Sequence, residues 1–266
     1  MCYRLLRGMF CIPFLLLMII GCGNGEEGIT RESVVRSFEE PPNYYPNTIG
    51  SRWVYRSPDG FEWAREVTET VEIGLHLYHV FNYDPPIEDA RFNFLKTPSY
   101  RITRNRVLFF VGDEIDRAYK EDLTDFLRES YQEFGDIKIN VNAVSQEELV
   151  FFRIPPARGI QWEVIDMRAS GNVIFRDQGN FILPFELNWV NTGIVTRLES
   201  VETPAGAFDD CFKIQYDSKV TAVVNEEEEE LLRTEVQNIW LAPEVGVVKI
   251  EDEDGITELM EYAIAE

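Results

Sequence analysis

The residues best placed for chemistry are few, and the most telling is a cysteine. Cys22 ends the run Leu15–Cys22, LLLMIIGC, behind a leader that carries Arg4 and Arg7 and no acidic residue. Its thiol follows two aliphatic residues and a small one, Ile19-Ile20-Gly21, a setting that implies, by resemblance, acylation and cleavage that would leave it as residue one. The other candidates are weaker. His76 and His79 are the only histidines. At i and i+3 they would share a metal on a helix, but in an extended segment they point to opposite faces. Cys211 lies in a stretch of period 2 and reads as strand packing rather than as a reactive thiol. Glu226–Glu230 are five like charges in a row that read as a solvated hairpin end, with a cation site as the alternative. The segment EDEDG, 251–255, has calcium-like composition but lacks the later spaced ligands, and reads as a turn.

The elements around Cys22 fit the acylation reading. The apolar run from Gly8 to Ile20 is 13 residues and holds Pro13, which is too short for a relaxed membrane span and right for the apolar region of a signal peptide. Ile19-Ile20-Gly21-Cys22 then resembles a bacterial lipobox. Residues 1–21 are accordingly expected to be a lipoprotein signal peptide, with the chain held to a membrane through acyl chains (palmitate among them) on Cys22. Gly23, rather than Asp, after the cysteine points to the outer membrane by resemblance to enteric sorting.

Of 266 residues, the 21 of the leader leave 245, and with two arginines removed the net charge moves from −22 to −24. Such acidity opposes nucleic-acid binding and adsorption to anionic headgroups. A hydrophobic content of 45% and an aromatic content of 13% belong to a folded domain. Once Cys2 and Cys11 leave with the leader, Cys22 and Cys211 remain, and no internal disulfide is expected if Cys22 is acylated.

Residues 22–42 are polar and charged and read as a flexible tether, reaching about 25 Å root-mean-square at about 5–6 Å × √n. Residues 43–266 read as a single antiparallel β-rich domain. In 61–73, Phe61, Trp63, Val67, Val71 and Ile73 share one face, and Glu62, Glu66, Thr68, Thr70 and Glu72 the other. Strands are expected at 75–83, 99–104 and 106–111. Between 120 and 134, Leu123, Phe126, Leu127, Tyr131 and Phe134 fall at helical spacing. From Gly171 the pattern is a β-meander, in which Phe212, Ile214 and Tyr216 are expected inside, with Lys213 and Gln215 outside. Pro46-x3-Gly50-x2-Trp53 is echoed by Pro156-x2-Gly159-x2-Trp162, which leaves open a division into two sub-halves near residue 150. The fold class expected is mainly β: an antiparallel meander forming a strongly twisted sheet or half-barrel, with one amphipathic helix.

Four pieces, the lipobox at Cys22, YYPNTIGSRWVY (44–55), TPAGAFDDCFKIQ (203–215) and WLAPEVGVVKIE (240–251), resemble a family of bacterial lipoproteins called TapB-like. They frame the chain after the leader, although residues 85–150 match nothing in that family. The resemblance implies an envelope-facing, mostly antiparallel β domain and transfers no catalytic residue. No G-x-S-x-G, no histidine beside a nucleophile, no Cys/His metal spacing and no phosphate-cradling glycine loop occurs. The reading is therefore a non-enzymatic envelope lipoprotein that serves as a membrane-tethered interaction or assembly module for other envelope proteins, without a cofactor. The alternative is a carrier of a lipidic ligand in a cavity under the curled sheet. A hydrolase is the third reading.

Overall fold

The computed structural model describes residues 42–87, 92–225 and 230–266. The proposed signal peptide, Cys22, the tether as far as residue 41 and most of Glu226–Glu230 lie outside these residues. The first half contributes β1 (Arg52–Arg56), β2 (Glu62–Ile73), β3 (His76–Asp84), β4 (Ser99–Ile102), β5 (Arg106–Phe110), β6 (Ile137–Val144) and β7 (Glu148–Arg153). The short helix α1 (Asn93–Lys96) precedes β4, and the long helix α2 (Glu114–Tyr131) precedes β6. The second half runs β8 (Gln161–Phe175), β9 (Phe181–Thr203), β10 (Gly206–Val224), β11 (Glu230–Ala242), β12 (Gly246–Asp252) and β13 (Gly255–Ala263).

All thirteen strands form one antiparallel sheet that does not close, in the order β6-β8-β9-β10-β11-β12-β13-β1-β2-β3-β4-β5-β7. Two features depart from a plain meander. The last strand pairs with the first, β13 with β1, so the two ends of the described chain meet in mid-sheet. The two edge strands, β6 and β7, are consecutive in the chain with only residues 145–147 between them. So short a link can join opposite edges only if the sheet curls until they approach. No backbone ladder joins β7 to β8 among the described residues. Side chains cross the seam instead: the Trp162 indole donates to the Val150 carbonyl at 3.1 Å, and the Asp166 amide donates to Gln146 Oε1 at 3.3 Å.

The apolar residues gather into two clusters inside this curl. One holds Trp53, Tyr55, Val67, Phe81, Ile214 and Leu259. In the other, α2 lays Ile115, Tyr119, Leu123 and Leu127 on Met167, Val173, Leu187 and Trp189 of β8 and β9. Tyr119 stacks on Trp189 with ring centroids 5.9 Å apart. The helix begins at Glu114, six residues before the expected 120, because Ile115 and Tyr119 continue the same apolar stripe toward the N-terminus. Residues 132–134 are a tight 3-10 turn, and Phe134 lies past the packed face, 42% exposed.

Two expected faces need correction. Phe61 and Val71 are 52% and 38% exposed, not inside. Phe61 precedes β2, at the turn where the Ser57 amide donates to its carbonyl; for Val71, a bulge between Val67 and Glu69 shifts the register of β2 against β3, and the hairpin beyond it extends past the core. On β10 the fully buried residues are Cys211 and Ile214, with Phe212 only half-buried. The register shifts between Lys213 and Ile214 break the alternation there. Lys213 is also less open than expected: its ammonium lies 4.5 Å from the Trp240 ring centroid and 3.5 Å from Glu251.

The repeated Gly-x2-Trp pattern has a structural counterpart. Gly50 and Gly159 both take positive φ, at 93° and 80°. Each following tryptophan turns inward and spends its indole N–H on a carbonyl, Trp53 on Val245 at 2.7 Å and Trp162 on Val150.

Candidate functional site

The seam supplies the most chemically distinct surface among the described residues. On β3 and β4, His79 pairs with Tyr100, so Tyr78 and Arg101 sit side by side one step along. β5 then brings β7 alongside, with Phe110 paired to Glu148. The three side chains meet. Arg101 grips Glu148 with two nitrogens, Nε on Oε1 and an NH2 on Oε2 at 2.5 Å, and the Tyr78 hydroxyl donates to Oε1 at 2.5 Å. Burial by itself would raise the Glu148 carboxyl. The bonds from Arg101 and Tyr78, with the charges of Arg101 and His76, outweigh it and hold the carboxyl below its ordinary value. Burial and the Glu148 charge push the Tyr78 phenol up to about 12.

Two members of this triad, Arg101 and Glu148, form part of one wall of a cleft of about 550 Å³. Arg101, Arg106 and Arg153 line that wall; Trp162 and Glu163, at the start of β8, line the other. The volume lies within the roughly 300–1,000 Å³ of ordinary small-ligand sites. A second space lies inside the curl, between Tyr119, Trp189, Asn191 and Tyr216, and is only about 60 Å³. The buried Asn191 Oδ1 has no hydrogen-bond partner, so the space suits a water or two rather than an acyl chain.

The residues singled out from sequence fall elsewhere. His76 is exposed and His79 half-buried on β3, on opposite faces by strand alternation. His79 lies against the Asn47 backbone, and burial lowers its pKa. No group of three or more potential metal ligands occurs among the described residues. Cys211 is buried, with its thiol 3.4 Å from the Phe208 carbonyl. Burial, then the charges of Asp209, Asp210 and Glu199, push the thiol up to about 12, which leaves it without thiolate character near neutral pH. Residues 251–255 form the β12–β13 hairpin turn, where Asp252 accepts from the Asp254 amide at 3.0 Å.

Sequence reasoning passed over two arginine sites. Arg65 lies on the inward side of β2, its guanidinium 5.0–5.9 Å from the ring centroids of Tyr45, Trp53, Tyr55 and Phe81, with its Nε unpaired. It occupies the parity of Trp63 and Val67, so the alternation itself was the signal. Two of the three cleft arginines were signalled by density: Arg101 and Arg106, with Arg104 between them, fall within six residues of a chain in which acids outnumber Lys and Arg, 47 to 25.

A family described as DUF3108-like matches residues 165–264, from within β8 to just past β13. The match is coarser than a TapB-like assignment and leaves the first half uncovered. Nothing among the curated proteins matches the chain. Two crystal structures are similar along most of it. One is a candidate lipoprotein from Parabacteroides distasonis, 16% identical, with 85% of this chain and 100% of that chain covered and a TM-score of 0.40. The other is a candidate exported protein with a YmcC-like fold from Bacteroides fragilis, 16% identical over 84% of this chain and 99% of that one, also at 0.40.

Proposed function

We propose that this chain is a cell-envelope lipoprotein, tethered through acyl chains on Cys22, whose curled sheet acts as a non-enzymatic interaction module. The tether rests on the sequence: a basic leader, a 13-residue apolar run and Ile19-Ile20-Gly21-Cys22. No helix among the described residues is long and apolar enough to cross a membrane. What favours an interaction surface over a lipid carrier is the interior of the curl. Aromatic side chains and α2 pack into it, and the space between Tyr119, Trp189 and Tyr216, about 60 Å³, is far below the roughly 300 Å³ at which ligand pockets begin. The one cysteine in the described domain is buried with a raised pKa, which speaks against a thiol hydrolase. Gly23 after the cysteine favours the outer membrane.

Two measurements test this. Membrane fractionation of Cys22→Ser should release the protein or trap an unprocessed precursor; acylation and fractionation like the wild type would refute the tether. Native mass spectrometry of wild-type protein from its source cells should show no bound acyl-chain ligand. A stoichiometric lipid that stays bound on dilution would move the reading to the carrier.

A further inference from the structure

We propose that the seam cleft is a binding site for a small organic anion, gripped through a carboxylate or phosphate group by Arg106 and Arg153. This goes beyond the tethered-module reading and does not rest on it.

The first observation is a placement that folding alone does not favour. Arg106 and Arg153 are directly paired across β5 and β7, so two cations face each other at neighbouring positions. Like charges so placed destabilise a sheet. Neither guanidinium has a carboxylate partner among the described residues, although the chain carries 47 acidic residues. The acid that lines the same wall is already committed: both Glu148 oxygens are taken by Arg101, and one also accepts from Tyr78. Two unneutralised guanidiniums on one wall are a receptor for a carboxylate or a phosphate, whose oxygens match the planar fork of arginine.

The second observation is the space they line. The cleft is about 550 Å³, and its apolar lining is Leu108 and Val150 on the arginines' side and Trp162 on the other. An occupant with an anionic head and a compact apolar or aromatic body would meet both parts. Glu163 on the opposite wall, held from Gln146 at 3.4 Å, opposes an anion and limits the affinity. The acidic remainder of the protein repels anions at long range, so attraction arises only within the cleft and is screened by salt.

The test uses the full-length protein in nonionic detergent, with calorimetric titration of benzoate and phenyl phosphate as probes, which separates the two head groups. At least one probe should bind once per protein and weaken as salt rises. Arg106→Gln and Arg153→Gln should each weaken it about tenfold or more, Glu163→Gln should tighten it, and Arg56→Gln, remote and paired with Glu62, should leave it unchanged. Without probe, Arg106→Gln should keep or raise the thermal midpoint, because it relieves an opposed pair of cations. Failure of both probes to bind below about 10 mM would overturn the proposal. So would undiminished binding in the double arginine variant, or a lowered midpoint for Arg106→Gln, which would make the pair structural.

Discussion

Gly193 lies in the middle of β9, paired with Trp162 on one side and Tyr216 on the other. It takes no positive φ, so its need for glycine is purely one of space. A Cβ added there would lie 2.4 Å from Trp162 Cζ2, 2.5 Å from Cε2 and 2.9 Å from Nε1. Ordinary carbon contacts lie near 3.5–4.0 Å, so the indole would have to retreat by roughly an ångström or more. Its N–H would then leave the Val150 carbonyl, one of the few bonds across the seam. Overpacking of this kind costs about 1–3 kcal/mol. A buried donor left without its acceptor costs about 1–3 kcal/mol more. Relief of glycine's backbone entropy returns about 0.5–1 kcal/mol. The net loss expected for Gly193→Ala is about 1–5 kcal/mol, or about 2–20 °C in thermal midpoint for a domain of this size. Urea titration followed by circular dichroism measures it. The same substitution in a Trp162→Leu background should cost almost nothing, a coupling of at least about 1 kcal/mol. A loss below about 0.5 kcal/mol in the wild-type background, or equal losses in both, would refute the account of the seam.

The remaining predictions concern the core, the triad and the thiol. Ile214→Ala should cost about 2–5 kcal/mol in a denaturant titration because the side chain is fully buried, and Gln215→Ala much less. The depressed Glu148 pKa makes its stabilisation complete above the unfolded value of about 4.3, and lost as pH falls through the folded value. Glu148→Gln should therefore flatten the acid limb of the stability curve. Tyr78 works in the opposite sense. Its contribution is complete below about pH 10 and is lost as pH rises toward about 12, a decline that Tyr78→Phe should remove. Cys211 in the native protein should resist alkylation near neutral pH and react readily after denaturation, as mass spectrometry would record.

Much of the secondary structure was legible locally. Alternation marked most strands, and the stripe at Leu123 and Leu127 marked the helix, because side-chain period depends on backbone geometry alone. The Pro204-Ala205 turn, where Thr203 pairs with Gly206, and the Asp254-Gly255 turn were equally local. Bulges were not. At Val67/Glu69 and at Lys213/Ile214 the register shifts within a continuous pattern, so Val71 and Phe212 were placed one face too far inward, whereas Phe61 lies ahead of β2, at the end of the 57–60 turn. A bulge is chosen by the strand alongside, and that strand is distant in sequence. Arg65 stayed hidden for a related reason: an arginine among apolar residues reads as polar until four rings close around it.

The address proposed at Cys22 can be read from sequence alone, since the determinants of acylation lie within a few consecutive residues. The cleft cannot. Its walls come from Arg101 on β4, Arg106 on β5, Arg153 on β7 and Glu163 on β8, and they meet because residues 145–147 link the two edges of the sheet. Local patterning determines which face of a strand is apolar. Which edges approach, and so which charges stand opposed without partners, is settled only when the whole sheet curls around its two cores.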